Sequence, residues 1–372
     1  VDSPRAVPDG RPGSRPFPSS APTRTSAYFQ EVRAGFDDAV RRCGLVERRY
    51  EIGGRGVSVR FAAGAELIGA LTRALSHLPA PRGPEPALTI LVTDGRGFEP
   101  PTPPWTPPER RPTAGADEDA RPALYACDDR VHGLLELERV TLSMYDTADA
   151  VGVFWVRSAA TLPYYERGAP LRAILHWWAL DQGWQMAHAG AVGTAAGGVL
   201  LVGKGGSGKS TATLACATSG LAYVGDNDVL VGDGPEPFVH GLYCSAKLEP
   251  GHRRRALPAL DGALGATEVW AGGKELFFLD GALRGSVGVG FPLKAVVLPR
   301  VTSAARATVR RVSSAVALLS VAPSTLFALP GARRHRLQHM ARALAGVPAY
   351  VLELGSDLGT VAPAIRSVLD AA

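Results

Sequence analysis

A chain of 372 residues, 46% hydrophobic and 20% charged, is long enough for two domains with cores of their own and too apolar to be disordered or fibrous. A formal net charge of +5 is too mild to demand nucleic acid as a partner, and no apolar run reaches the ~20 residues of a membrane helix. Cys43, Cys127, Cys216 and Cys244 are scattered without a CxxC, which argues against a zinc site or a disulfide framework and predicts four small, buried, apolar side chains.

Residues 1–26 are rich in Pro, Ser and Arg; they predict a disordered tail without an apolar leader, so the expected location is the cytoplasm. Residues 27–185 predict a separate, mixed α/β N-terminal domain. SAYFQEVRAGFDDAVRRCG has helical apolar spacing and stops at Gly44, and RRYEIGGRGVSVRFA reads as two strands around Gly-Gly-Arg-Gly. GAELIGALTRALSHL is an amphipathic helix and ALTILV a buried strand. Residues 99–122 are dense in proline and predict a mobile loop. Strand-like runs follow over 131–157, then an aromatic helix, PLRAILHWWALDQGW, in which Trp177 and Trp178 read as core anchors. No constellation in this half reads as chemistry.

The character changes over residues 186–372. HAGAVG and GGVLLVG predict two strands, KSTATLACATSGL a helix and AYVGDNDVLV a further strand. KELFFLD, PLKAVVLPRV and ATVRRV continue as strands, ARRHRLQHMARALAG as a helix, PAYVLEL as a strand and APAIRSVLDA as a closing helix. The succession is that of a P-loop α/β core with C-terminal additions.

Gly203-Lys204-Gly205-Gly206-Ser207-Gly208-Lys209-Ser210 satisfies G-x-x-x-x-G-K-[ST], between an apolar strand and a helix, with Thr211 next in line. Backbone N–H groups of such a loop turn inward around phosphates, and the helix N-terminus adds partial positive charge. Lys209 is placed to bridge the β- and γ-phosphates of a nucleotide such as ATP, and Ser210 to offer its hydroxyl to Mg²⁺.

Asp226 follows Lys209 by only 17 residues, on the segment directly after the P-loop helix. If that segment is a strand beside the P-loop strand, its end carries Asp226 towards the γ-phosphate, and a regular strand would put Asp228 on the same face. A carboxylate there serves the metal or accepts the proton of an attacking hydroxyl. Gly225-Asp226-Asn227-Asp228 is also turn-forming chemistry, but VLV resumes at once, which favours a continuous strand.

At these residues the sequence resembles the HPr kinase/phosphorylase-like P-loop serine kinases, whose fold is related to the ATP-dependent phosphoenolpyruvate carboxykinases. The resemblance rests on His188 opening HAGAVG, on GKGGSGKST and on GDND at short spacing, and it covers about 188–300. It implies an HPr-kinase-like C-terminal domain that uses ATP and Mg²⁺. It also implies Asp226 as the base that deprotonates an acceptor serine, with His188 beside it. Asn227 stands where the family commonly has a second acidic residue, which leaves the reverse, phosphorolytic activity open. HGLYCSAKLEP, GGKELFFL and PLKAVVLPR are similar to stretches of the branch that phosphorylates ribosomally made peptides, such as lasso-peptide tailoring kinases.

Of 40 Lys plus Arg only five are lysine, all within residues 204–294. That scarcity singles out Lys247 and Lys274 as candidate partners of phosphate or acceptor; solvated surface charge is the competing reading. The clusters His252-Arg253-Arg254-Arg255 and Arg333-Arg334-His335-Arg336 read as solvated helix faces before they read as guides for an acidic peptide. The expected partner is a peptide or protein bearing an acceptor hydroxyl; assembly into an oligomer stays open. A small-molecule kinase of secondary metabolism and a non-catalytic, nucleotide-dependent regulatory module are the alternatives.

Overall fold

The computed structural model describes residues 23–105, 123–137, 140–249, 251–252, 257, 268–269, 274–283, 285–326 and 333–372. The architecture is mixed α/β, built on a seven-stranded, a nine-stranded and a three-stranded sheet.

Helix α1 (Arg24–Cys43) opens the described chain, capped by Thr23, whose side chain accepts the N–H of Ser26 at 3.2 Å. Residues 23–26 of the expected tail belong instead to the cap and first turn of α1, and residues 1–22 lie outside the described set. Strands β1 (Val46–Ile52) and β2 (Arg55–Ala62) form the hairpin expected around Gly53-Gly54. Helix α2 (Ala65–Thr72) and β3 (Leu88–Asp94) follow. Four more strands complete this half: β4 (Ala123–Cys127), β5 (Val131–Glu136), β6 (Thr141–Asp146) and β7 (Val151–Val156). The sheet order is β1-β2-β3-β7-β6-β5-β4, parallel only through β2, β3 and β7.

Alternation along these strands builds two apolar layers. Val153 and Trp155 face α1, while Phe154 and Val156 face the opposite side. Part of the proline-dense segment is anchored instead of mobile. Trp155 Nε1 donates to Phe98 O and Tyr28 Oη to Pro101 O, each at 2.7 Å, and Trp105 packs edge-on against Tyr28. Residues 106–122 of that segment lie outside the described set.

Helices α3 (Tyr164–Gly168) and α4 (Arg172–Asp181) lead into the second sheet. Trp177 and Trp178 on α4 are fully buried, as core anchors should be. Their cluster also takes in Met186, Leu230, Leu242 and Tyr243, so one apolar core runs through both halves where the sequence predicts separate domains. Among the cysteines, Cys216 and Cys244 are buried as expected; Cys43 and Cys127 are exposed, against expectation, since they end α1 and the edge strand β4.

The second sheet contains β8 (Trp184–Ala187), β9 (Gly190–Thr194), β10 (Gly197–Leu201), β11 (Ala222–Gly225), β12 (Val229–Gly232), β13 (Phe238–Gly241), β17 (Gly290–Val301), β18 (Thr308–Val312) and β19 (Ala349–Leu354). The three-stranded sheet is β14 (Ser245–Leu248), β16 (Glu275–Phe278) and β15 (Glu268–Val269). Helix α5 (Lys209–Thr218) follows the P-loop, and α6 (Ser314–Leu326), α7 (Arg333–Ala343) and α8 (Val361–Ala371) complete the chain. The principal order is β11-β9-β10-β17-β13-β12-β8, with β19 beside β17 and β18 beside β19.

Both faces of this sheet are covered. Val199 and Leu201 of β10 join residues of α5 and α8, whereas Leu200 and Val202 join residues of α6 and α7. Helix α6 has no counterpart in the sequence reading. Among the described residues, no helix is long and apolar enough to cross a membrane.

Candidate active site

Strand directions bring the motif residues to one edge. Strand β10 runs into the P-loop; β9 pairs antiparallel with it, Gly190 opposite Leu201. Strand β11 pairs antiparallel with β9, Gly225 opposite Ala191. The end of β11, the start of β9 and the end of β10 therefore coincide, and with them Asp226, His188 and the phosphate loop. Strand β11 is not the direct neighbour of β10 that the sequence suggested, because β9 lies between.

The AYVGDNDVLV segment is not one strand. It breaks at Asp226-Asn227-Asp228, with Asn227 at φ 84°, a left-handed conformation that Asn tolerates better than most non-glycine residues. The turn carries the chain from β11 at one end of the sheet order to β12 near the other. Asn227 O accepts the N–H of Ala189 at 3.1 Å, which ties the turn to the link that carries His188. The strand expected through this segment gives way to the turn because β11 and β12 pair with different neighbours, β9 and β8.

The glycine-rich loop lies between β10 and α5, the strand and helix expected around it. Gly208 sits at φ 98° immediately before α5, and a Cβ there would lie 2.3 Å from Leu354 Cδ1, so both the backbone and the packing require glycine. Lys209 is 6% exposed; its Nζ donates to Gly203 O at 2.6 Å and Lys204 O at 3.1 Å, holding the ammonium inside the curl of the loop. Lys204, Gly205 and Gly206 are exposed at the loop's crest. Ser207 Oγ is buried without a hydrogen-bond partner, an orphan that a phosphate oxygen would satisfy. Thr211, one residue past Ser210, meets His252 Nε2 at 3.1 Å, so His252 belongs with the P-loop helix and not with a purely solvated cluster. Arg253–Arg255 and the side chains of Arg333–Arg336 lie outside the described set.

Asp226 is 3% exposed. Its Oδ1 accepts the Ser210 hydroxyl at 3.0 Å, and its Oδ2 is buried with no hydrogen-bond partner. Burial pushes the carboxyl up to about 6, against the pull of the Ser210 hydroxyl, the charges of Lys209 and Lys247 and the Lys247 backbone N–H. Asp228 does not join it. Arg172 Nη2 binds Asp228 Oδ1 at 2.8 Å, so the second carboxylate is committed to a guanidinium and not to a shared metal.

Lys247, on β14, is held near this centre: its ammonium acts on Asp226 and stands 5.5 Å from the Tyr164 ring centroid. Lys274 is exposed, 3.9 Å from Glu249, and fits the surface-charge reading. Sequence reasoning missed Glu166 and Arg172. Glu166 is fully buried; its Oε2 accepts the Leu171 N–H at 2.8 Å, and burial, reinforced by Glu136, pushes its carboxyl up to about 8. The available signal was an arginine opening an otherwise apolar helix, RAILHWW.

Ser210 and Asp226 offer hard oxygens of the kind Mg²⁺ takes. Among the described residues no group of three or more His, Cys, Asp or Glu could hold a metal ion. No family model matches the chain, and no curated protein matches it.

Proposed function

We propose that the chain is an ATP-dependent phosphotransferase, an HPr-kinase-like serine kinase that acts on a peptide or protein. The observation that carries this reading is Asp226: a buried carboxylate beside the P-loop serine, with one oxygen bound and the other uncommitted.

When bound, Mg-ATP supplies the phosphoryl group and the cation that screens its charge. The N–H groups of Gly203–Gly208 and the start of α5 bind the phosphates, and Lys209 turns its ammonium from the loop carbonyls towards them. Ser210 Oγ and Asp226 Oδ1 are the pair that would hold Mg²⁺. Asp226 Oδ2 then takes the proton from the acceptor hydroxyl as its oxygen bonds to the γ-phosphorus and the bond to ADP breaks. Lys247 offers positive charge on the side of Asp226.

Incubation with Mg-ATP and the peptide encoded nearest this chain's gene, read by mass spectrometry, tests the reading. A mass gain of one phosphate on a serine, absent with Asp226→Asn, is the expected result. Phosphate gain on free metabolites alone would move the function to small-molecule kinases. Nucleotide binding without any transfer would leave a regulatory module.

A further inference from the structure

Asp226 and Asp228 are two residues apart and almost equally buried, at 3% and 4% exposure, yet they face different halves of the molecule. Asp226 meets Ser210 at the head of α5, while Asp228 meets Arg172, the first residue of α4. A carboxylate as buried as Asp228 needs a cation, and Arg172 is the one that holds it. Only Asn227, at φ 84°, lies between them, so fixing Asp228 constrains the other end of the same short bend.

The segment that carries Arg172 is itself braced. Leu171 has φ 58° and is buried, and its N–H is bound by Glu166. Helix α3 also shapes the path of Lys247: a Cβ on Gly168 would lie 3.2 Å from Lys247 Cε, so the lysine runs directly past that glycine. Residues 164–172 of the first half thus touch both charged groups flanking the proposed transfer centre.

We propose that Arg172 is a positioning residue of the phosphoryl-transfer centre. Its ion pair with Asp228 holds the turn at Asn227 and so keeps Asp226 against Ser210 with Oδ2 uncommitted. The kinetic consequence rests on the phosphotransfer reading above; the geometric one does not.

The test uses the full chain as Arg172→Met, Arg172→Lys, Asp228→Asn and the double variant Arg172→Met/Asp228→Asn, which removes both charges and so keeps the experiment informative if Arg172→Met fails to fold. Arg73→Met is the control, since Arg73 pairs with Asp280 at 3.1 Å elsewhere between the halves. Amide hydrogen exchange over residues 222–232 reports the turn; Mg-ATP affinity and the turnover of ATP, with a degenerate serine-peptide library as acceptor and with water alone, report the site. The double variant is expected to exchange about tenfold faster or more at the turn. Its kcat should fall about 100-fold with KM for ATP nearly unchanged, and Arg172→Lys should recover part of that loss. The Arg73→Met control should match wild type in both measures. Wild-type exchange and wild-type kcat in the double variant would overturn the proposal. If the wild type itself turns over no ATP, the kinase reading fails, and the exchange measurement alone still decides whether Arg172 holds the turn.

Discussion

Asp146 and Asp94 in the first half and Asp226 in the second are buried carboxylates with different partners. In the first half, Asp146 takes Arg130 Nε and Nη2, each at 2.7 Å, and the Ala148 N–H at 3.0 Å. Asp94 is closed in the same manner by Arg96 and by the N–H groups of Gly64 and Arg96. In the second half, Asp226 has the Ser210 hydroxyl and the Lys247 backbone N–H as partners and no guanidinium. A bidentate guanidinium satisfies a carboxylate and leaves it little capacity to react, whereas a desolvated carboxylate with an open oxygen is poised for proton or metal chemistry.

The most severe way to break this contrast is Asp226→Asn. Phosphoryl transfer is expected to drop about 10³-fold, the size of a general base's contribution, with Mg-ATP bound more weakly, as the loss of a cation ligand requires, but still measurable by calorimetry. Transfer at the wild-type rate would place Asp226 with the structural acids. Arg130→Met probes the other side: it strands Asp146 and should cost about 2–4 kcal/mol in urea unfolding, near the lower end because Arg130 is 45% exposed. Mg-ATP affinity should not move, and a variant that lost it would show the first sheet's acids to be coupled to the site.

A third measurement uses the sign of the Asp226 shift in metal-free protein. Its pKa rises on folding from 3.8 to about 6, so the folded state holds the extra proton between those values. The cost of burying the charge therefore grows as pH rises from about 4 to 6 and is complete above 6, where it reaches roughly 2–3 kcal/mol. Asp226→Asn should accordingly gain urea stability over wild type above pH 6 and lose that advantage near pH 4; a flat difference would mean the carboxylate is already solvated. The mildest test is Gly168→Ala. The added methyl meets Lys247 Cε at 3.2 Å and Leu276 Cδ1 at 3.0 Å, and should lower kcat a few-fold, about 1 kcal/mol, through displacement of the lysine.

Much of this was legible in the sequence because it is local. The Gly53-Gly54 hairpin, the P-loop between an apolar strand and a helix, and the short interval to Asp226 need only neighbouring residues for their logic. The turn at Asn227 was misread as strand because VLV resumes at once; what breaks the strand is the pairing of β11 with β9 and β12 with β8, which no local pattern encodes. The role of Arg172 was not legible for the same reason: it arises from a contact between halves, 56 residues away at Asp228. The anchoring of Pro101 within the expected mobile loop was not legible because its partner, Tyr28, lies 73 residues away.

The insertion of β9 between β10 and β11 has a mechanical consequence. Adjacent strands lie about 4.8 Å apart, so the sheet sets a fixed gauge of roughly 10 Å between the roots of the phosphate loop and of the acidic turn. The intervening helix does not act as a spacer, and the connection at Gly220 could lengthen without displacing either. Interrupting the ladder of β9, by contrast, would detune both together.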